Sequence, residues 1–266
     1  MLIFVGHLIF AIVFSVSCQA SSLVDLPDKS SGLERHLFEF EHDELQQFSL
    51  FIQSDLKGKT AKNLVVIAHG FHPDPPNYGK IKSGDSKRPG DYYRYWVEQY
   101  AKAGFNVFVP DYRGHNKSQG YEFTHQANKV KFPEQYYASD LVASVLALEK
   151  YLAFQYENIV LIGHSMGSPI AFYSAAQLGE KVKLVSLWSS AMYRFDNVKV
   201  NMPYVIHHGE DDKVTPITNS DFYIKNYGGD LVYKKIYDTD KHLISEPYFT
   251  QAIKKDIELI MSIFNH

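Results

Sequence analysis

The chain has a single cysteine, Cys18, in 266 residues. No disulfide can form within it, and any thiol chemistry is confined to its first twenty residues. Charge of one sign is also scarce. Lys and Arg number 27 against 30 Asp and Glu, for a formal net charge of −3, and no run of five like charges occurs. A nucleic-acid partner, which needs a basic stripe or patch, is therefore not expected. Tryptophan occurs twice, yet 19 Tyr, 18 Phe and a hydrophobic content of 45% supply ample core for one sizeable domain.

Long apolar runs are absent apart from Leu2–Val16, interrupted only by Gly6, His7 and Ser15 and free of charge. This is the length of a signal-peptide h-region and short for a membrane span, although the basic residues that normally precede such a region are missing. Two processing sites fit. Cys18-Gln19-Ala20 has small residues at −3 and −1, which predicts cleavage after Ala20. Ser15-Val16-Ser17-Cys18 is a loose bacterial lipobox, which predicts membrane anchoring through a lipidated Cys18. The expectation is an exported protein: periplasmic, secreted or lipid-anchored. The competing reading is an N-terminal helix packed on the domain. Residues 1–20 are thus assigned to the signal, 21–33 to a polar connector and 34–266 to one domain.

Within that domain short apolar runs alternate with amphipathic stretches. Strands are predicted at 37–40, 48–52, 64–68, 106–110, 159–162, 183–188, 204–208 and 231–236. Helices are predicted at 92–103, 138–154, from Pro169 to Leu178, at 219–227 and at 248–264. This alternation implies a mostly parallel sheet covered by helices on both faces.

The most informative segment is Ile159-Val-Leu-Ile-Gly163-His-Ser165-Met-Gly167-Ser168, a strand running into a helix through Gly-x-Ser-x-Gly. A nucleophilic serine must project its hydroxyl from a very tight, strained turn. Side chains two residues before and after it would strike the neighbouring strand and helix, hence the two glycines. The competing reading is an ordinary turn in which Ser165 caps the helix.

A serine hydroxyl needs a base, and the base needs an orienting carboxylate. In parallel sheets both belong beyond the C-terminal ends of strands. Four histidines follow Ser165. His207 and His208 end an apolar strand, and His266 is terminal, whereas His242 lies in the loop after the last strand, where a base is wanted. Three acids, Glu210, Asp211 and Asp212, crowd the turn after residues 204–208. An oxyanion hole is expected from the backbone N–H of Met166, beside the nucleophile, and of Phe71, in the loop after residues 64–68. No His, Cys, Asp or Glu pair shows a metal-ligand motif, and no metal or other cofactor is expected.

Taken together, His69-Gly70, Pro110-Asp-Tyr-Arg-Gly-His-Asn-Lys-Ser118, Gly163-His-Ser-Met-Gly167, His208-Gly-Glu-Asp-Asp-Lys-Val-Thr-Pro216 and His242 resemble the motifs of α/β-hydrolase-fold serine hydrolases. The likeness runs from about residue 37 to the end and is strongest to bacterial esterases and prolyl-oligopeptidase-like hydrolases. It implies an α/β-hydrolase fold and a triad of Ser165, His242 and an acid three residues after the strand-ending glycine, which is Asp212. Two positions depart from the pattern: Ser168 stands where a third glycine is common, and Phe71 where the family often continues with glycine.

Only 47 residues separate Ser165 from Asp212, too few for a large lid. Access to the site is then shaped by the loops 71–91 and 112–137. Their Lys80, Lys82, Lys87, Arg88, Arg113, Lys117, Lys129 and Lys131 and their aromatics suit a medium-sized ester with an anionic or sugar-containing part. The expected activity is carboxylic ester hydrolysis on a small-molecule substrate. The alternatives are an exported peptidase of prolyl-oligopeptidase type and a catalytically silent binding protein.

Overall fold

The computed structural model describes residues 21–26, 32–54, 62–71, 92–121, 123, 130–192 and 200–264. The proposed signal segment, Cys18 and His266 lie outside these residues, as do most of the loop 71–91 and part of 112–137.

Nine strands form one sheet: β1 (Ser22–Leu26), β2 (Arg35–His42), β3 (Leu45–Ile52), β4 (Asn63–Ala68), β5 (Asn106–Asp111), β6 (Asn158–His164), β7 (Val182–Trp188), β8 (Pro203–Gly209) and β9 (Asp230–Tyr237). Their spatial order is β1-β2-β3-β5-β4-β6-β7-β8-β9. Pairing is antiparallel from β1 to β5, and the strands from β5 to β9 are parallel. Among the described residues five α-helices cover it: α1 (Arg94–Lys102), α2 (Pro133–Leu152), α3 (Gly167–Leu178), α4 (Thr218–Asn226) and α5 (Tyr248–Phe264).

Strand periodicity splits the core into two layers. Leu64, Val66 and Ala68 of β4 pack with Tyr137, Leu141 and Val145 of α2 and Ile170 and Phe172 of α3. Val65 and Ile67 point the other way, toward Trp96 and Tyr100 of α1 and Ile253 and Ile260 of α5. Alternate side chains of a doubly covered strand feed opposite layers, which is why β4 is apolar without a break from Leu64 to Ala68. All of these residues are buried, so truncating one such as Leu141 to Ala costs about 2–5 kcal/mol.

The segment read as a connector, 21–33, contains strand β1, which pairs antiparallel with β2. Its residues are half-buried or exposed, as on an edge, so they lack the apolar run that marks an interior strand. Helix α2 starts a full turn before the expected Ala138. Pro133 occupies its first turn, where a missing N–H costs nothing and φ is already helical. It ends at Leu152, and the capping residue Ala153, with a φ of 49°, reverses the chain.

Arg113, expected at a basic mouth, is instead turned inward. Its Nε lies 3.0 Å from both Asp140 carboxylate oxygens, and its Nη2 lies 2.6 Å from Asp140 Oδ1 and 2.8 Å from Asp43 Oδ2. Gln47 Nε2 donates to the same carboxylate at 2.9 Å. The guanidinium fork thereby ties the loop after β5 to α2 and to the β2–β3 hairpin.

Candidate active site

β6 and α3 meet at Ser165, whose φ is +54°. A β-carbon is disfavoured there, and the strain of order 1–3 kcal/mol is held by the surroundings. Ser165 N–H donates to Trp188 O at 2.9 Å, and Ser165 O accepts from the amides of Ser168 and Ala191 at 3.0 Å each. The flanking glycines are obligatory. A β-carbon on Gly163 would lie 2.6 Å from Gly167 O and Ser168 Cα, and one on Gly167 would lie 1.9 Å from Ala68 O. Ser168, in place of a third glycine, fits because its hydroxyl donates to Gly163 O at 2.9 Å.

Asp212 follows the end of β8 and His242 the end of β9. Asp212 Oδ2 is 2.8 Å from His242 Nδ1, and its Oδ1 accepts from the amides of Val214 at 2.8 Å and Thr215 at 3.0 Å. Thr215 Oγ1 sits 3.0 Å from Asp212 Oδ2 and 3.3 Å from His242 Nδ1. Burial alone would raise the Asp212 pKa. The hydrogen bonds from His242, Thr215 and Val214 outweigh it and hold the carboxyl well below its usual range. Asp211 is exposed, with Lys213 Nζ 4.0 Å from its Oδ1, and Glu210 is exposed as well.

The ends of β6, β8 and β9 thus bring Ser165, Asp212 and His242 to one edge of the parallel sheet. The carboxylate–imidazole half is bonded. Among the described residues no hydrogen bond joins the Ser165 hydroxyl to His242. Contacts of this kind are often long in the absence of substrate and tighten in the reacting complex.

The loop after β4 packs directly on the nucleophile. A β-carbon on Gly70 would lie 3.1 Å from Ser165 Cβ and 3.2 Å from His164 Nδ1. Phe71 follows with an exposed side chain, and Met166 is buried behind Ser165. His69 belongs to the core, its ring stacked on Tyr112 at 4.1 Å. Beside the segment after His242 lies a cavity of about 600 Å³ lined by Tyr92, Tyr95, Trp96, Leu243, Ile244 and Phe249, with polar groups from Gln99, Ser245, Glu246 and Thr250.

Sequence reasoning passed over Tyr93, His164, His208 and Thr215. His208, read as a strand end, is buried 3.7 Å from Asp212 Oδ2, with Ser220 Oγ at 2.6 Å from its Nδ1 and Thr215 O at 2.9 Å from its Nε2. Burial lowers its pKa. For Thr215 a signal existed, since a hydroxyl three residues after an acid in a turn is placed to close back on it. For Tyr93, far upstream in sequence, there was none.

The sequence model of a family described as alpha/beta hydrolase fold matches residues 63–199. Among solved structures, acetyl xylan esterase 1 from Thermoanaerobacterium sp. JW/SL YS485 is similar with a TM-score of 0.62 and 16% identity, covering 90% of this chain and 87% of its own. A dienelactone hydrolase from Anabaena variabilis ATCC 29413 aligns with a TM-score of 0.63 and 18% identity over 86% of this chain and 98% of that one. An acylaminoacyl peptidase from Pyrococcus horikoshii aligns with a TM-score of 0.61 and 17% identity over 88% of this chain and 41% of that one. At such identities the likeness concerns the fold. No curated protein matches the sequence.

Proposed function

The chain belongs to the α/β-hydrolase fold family, and on that premise we propose that it is a serine hydrolase cleaving carboxylic esters through an acyl-enzyme. The observation that carries this reading is the buried Asp212 carboxylate 2.8 Å from His242 Nδ1, at the same sheet edge as a serine held at positive φ. In this reading Ser165 Oγ attacks the ester carbonyl carbon while His242 Nε2 takes the hydroxyl proton. The oxyanion is received by the amides of Phe71 and Met166. The alkoxide leaves with the proton from His242, and water repeats the sequence on the acyl-enzyme, releasing the acid and restoring Ser165. Asp212 holds the imidazole in the tautomer with a free Nε2 and balances its charge when it is protonated.

The aromatic cavity beside Leu243, the residue after His242, supports a medium-sized ester bearing a ring, a sugar or an aryl group. The likeness to an acylaminoacyl peptidase supports a second reading, peptide hydrolysis by the same machinery. A panel of p-nitrophenyl esters run beside aminoacyl p-nitroanilides separates the two: turnover confined to the esters is expected. A fluorophosphonate should label Ser165 stoichiometrically and abolish activity, and Ser165→Ala retaining full activity would end the serine-hydrolase reading. Export, with a mature chain beginning near Ser21 or lipidated at Cys18, is part of the proposal, and mass spectrometry of the secreted product that finds Met1 retained would reject it.

A further inference from the structure

Three loops must keep a common geometry if the proposed chemistry is to run: the loop carrying Phe71, the turn carrying Ser165 and the loop carrying His242. One hydrogen-bonded chain, buried behind the site, links all three. Gly70 N–H donates to Tyr93 Oη at 2.9 Å. Tyr93 Oη lies 2.7 Å from His164 Nδ1, and His164 Nε2 lies 3.3 Å from the backbone oxygen of His242. The direction of each bond follows from the donors available. A carbonyl only accepts, so Nε2 carries the imidazole proton. Nδ1 must then accept, and Tyr93, already accepting from Gly70, supplies its single proton there.

We propose that Tyr93 and His164 are positioning residues that lock the Phe71 and His242 loops to the nucleophile turn. The proposal rests on the serine-hydrolase reading above and adds to it the means by which the oxyanion donors and the base keep register. Every member except Tyr93, which bridges the others, is adjacent in sequence to a group it would position or belongs to one. Gly70 precedes Phe71, His164 precedes Ser165, and the carbonyl that His164 holds belongs to His242 itself.

Packing supports the same function. Tyr93 and His164 are each 3% exposed, so the Gly70–Tyr93 and Tyr93–His164 bonds do not compete with bulk water, while the His164–His242 bond is part-buried. The His164 ring lies 4.9 Å from the His242 ring, 5.7 Å from Tyr93 and 5.8 Å from Trp96, an aromatic wall that leaves it one orientation. Burial, with His242 nearby, pushes the His164 pKa down to about 3, and burial drives the Tyr93 hydroxyl well above its usual value. Both stay neutral across the working range of a histidine base, so the chain does not break by titration.

Positioning predicts loss in turnover rather than in binding, because misplacing donors and base by a fraction of an ångström acts in the transition state. Tyr93→Phe should lower kcat on p-nitrophenyl acetate about 10- to 100-fold per fluorophosphonate-titratable serine, with KM within about twofold. The pH profile should keep its shape. Normalising to titratable sites removes any effect of misfolded protein. His164→Leu should behave like Tyr93→Phe, and His164→Gln, which keeps an N–H for the His242 carbonyl, should recover part of the loss. If Tyr93→Phe and His164→Leu turn over at the wild-type rate per titrated serine, the proposal falls while the serine-hydrolase reading stands. If the pH profile moves, the pair relays protons and the positioning role is wrong. If Ser165→Ala is fully active, both readings fall together.

Discussion

His207 Nε2 lies 2.8 Å from Asp256 Oδ1, with both side chains completely sealed from solvent. This is a further imidazole–carboxylate pair, on the opposite core layer from α2 and α3, and its surroundings are those of a structural tie. Asp256 Oδ2 accepts from Ser186 Oγ at 2.7 Å, Tyr100 Oη at 3.0 Å and Trp188 Nε1 at 3.1 Å. His207 Nδ1 is 2.8 Å from Tyr237 Oη. One carboxylate on α5 therefore gathers donors from α1, β7 and β8, and its imidazole partner reaches β9.

Removing that acceptor leaves three donors, Tyr100 Oη, Ser186 Oγ and His207 Nε2, buried without a partner, while Trp188 Nε1 keeps Ser186 Oγ at 3.0 Å, so Asp256→Ala should cost about 3–5 kcal/mol. Asp256→Asn keeps the volume and part of the accepting capacity and should cost less. Urea unfolding should show a lower midpoint with unchanged slope for both. A change under about 1 kcal/mol for Asp256→Ala would mean that water replaces the lost bonds.

The turn around Ser165 predicts a sharp contrast between neighbours. Gly167→Ala places a methyl 1.9 Å from a backbone oxygen that cannot move without distorting β4, so it should abolish soluble folded protein. Ser168→Ala deletes only a hydroxyl bonded to Gly163 O and should cost about 1 kcal/mol, with activity retained. Expression and circular dichroism of the two variants side by side decide it.

Glu134 sits in the first turn of α2, 1% exposed, with no hydrogen-bond partner for either carboxyl oxygen. Burial outweighs the opposing effect of its own backbone amide and raises its pKa to about 7 from the ordinary 4.5. Below about pH 4.5 the group is neutral in both folded and unfolded chains and costs nothing. Between 4.5 and 7 the unfolded chain ionises first, so stability falls as pH rises. Above 7 the penalty is constant, at most about 3 kcal/mol. Glu134→Gln cannot ionise, so its stability advantage over wild type should be near zero at pH 4, grow through pH 7 and then level off. Denaturant titrations across pH 4–8 that show a constant difference would place the Glu134 carboxyl in water.

What could be read from the chain and what could not divides along contact order. The Gly163–Ser165–Gly167 turn was legible because its signature lies within five residues, even though the atom that excludes a β-carbon at Gly167 is Ala68 O on β4. The sheet's parallel half was legible from uninterrupted apolar runs. Asp212 was chosen by its place after a strand-ending glycine, but only through a family resemblance, since Glu210, Asp211 and Asp212 are alike in composition. Arg113 was misjudged because Asp140 and Asp43, which draw it inward, stand 27 and 70 residues away. Tyr93 and His164 were missed for the same reason: their bonds span 23, 71 and 78 residues, and no local pattern announces them.

Asp212 and Asp211 are adjacent, equally acidic in composition and opposite in environment, which makes them the sharpest test of the proposed site. Asp212 is bonded to His242, Val214 and Thr215 and is held ionised far into acid, whereas Asp211 projects into solvent. In Asp212→Asn the side-chain amide can turn an N–H toward His242 Nδ1. That favours the tautomer with its proton on Nε2, which cannot accept the proton of Ser165. The expected loss in kcat is about 10⁴-fold, with modest change in KM, since the fault lies in proton transfer and not in binding. Folding should be affected in a defined direction as well. The depressed pKa of Asp212 stabilises the native chain above the ordinary carboxyl value of 3.8, and that contribution fades as pH falls toward its native pKa. Asp212→Asn should therefore lose stability at neutral pH and approach wild type in strong acid. Asp211→Asn should leave kcat, KM and the acid-unfolding profile unchanged. Steady-state kinetics and acid titration of the two variants give four readings, and a crippled Asp211→Asn beside a nearly silent Asp212→Asn would assign the acid to the wrong residue.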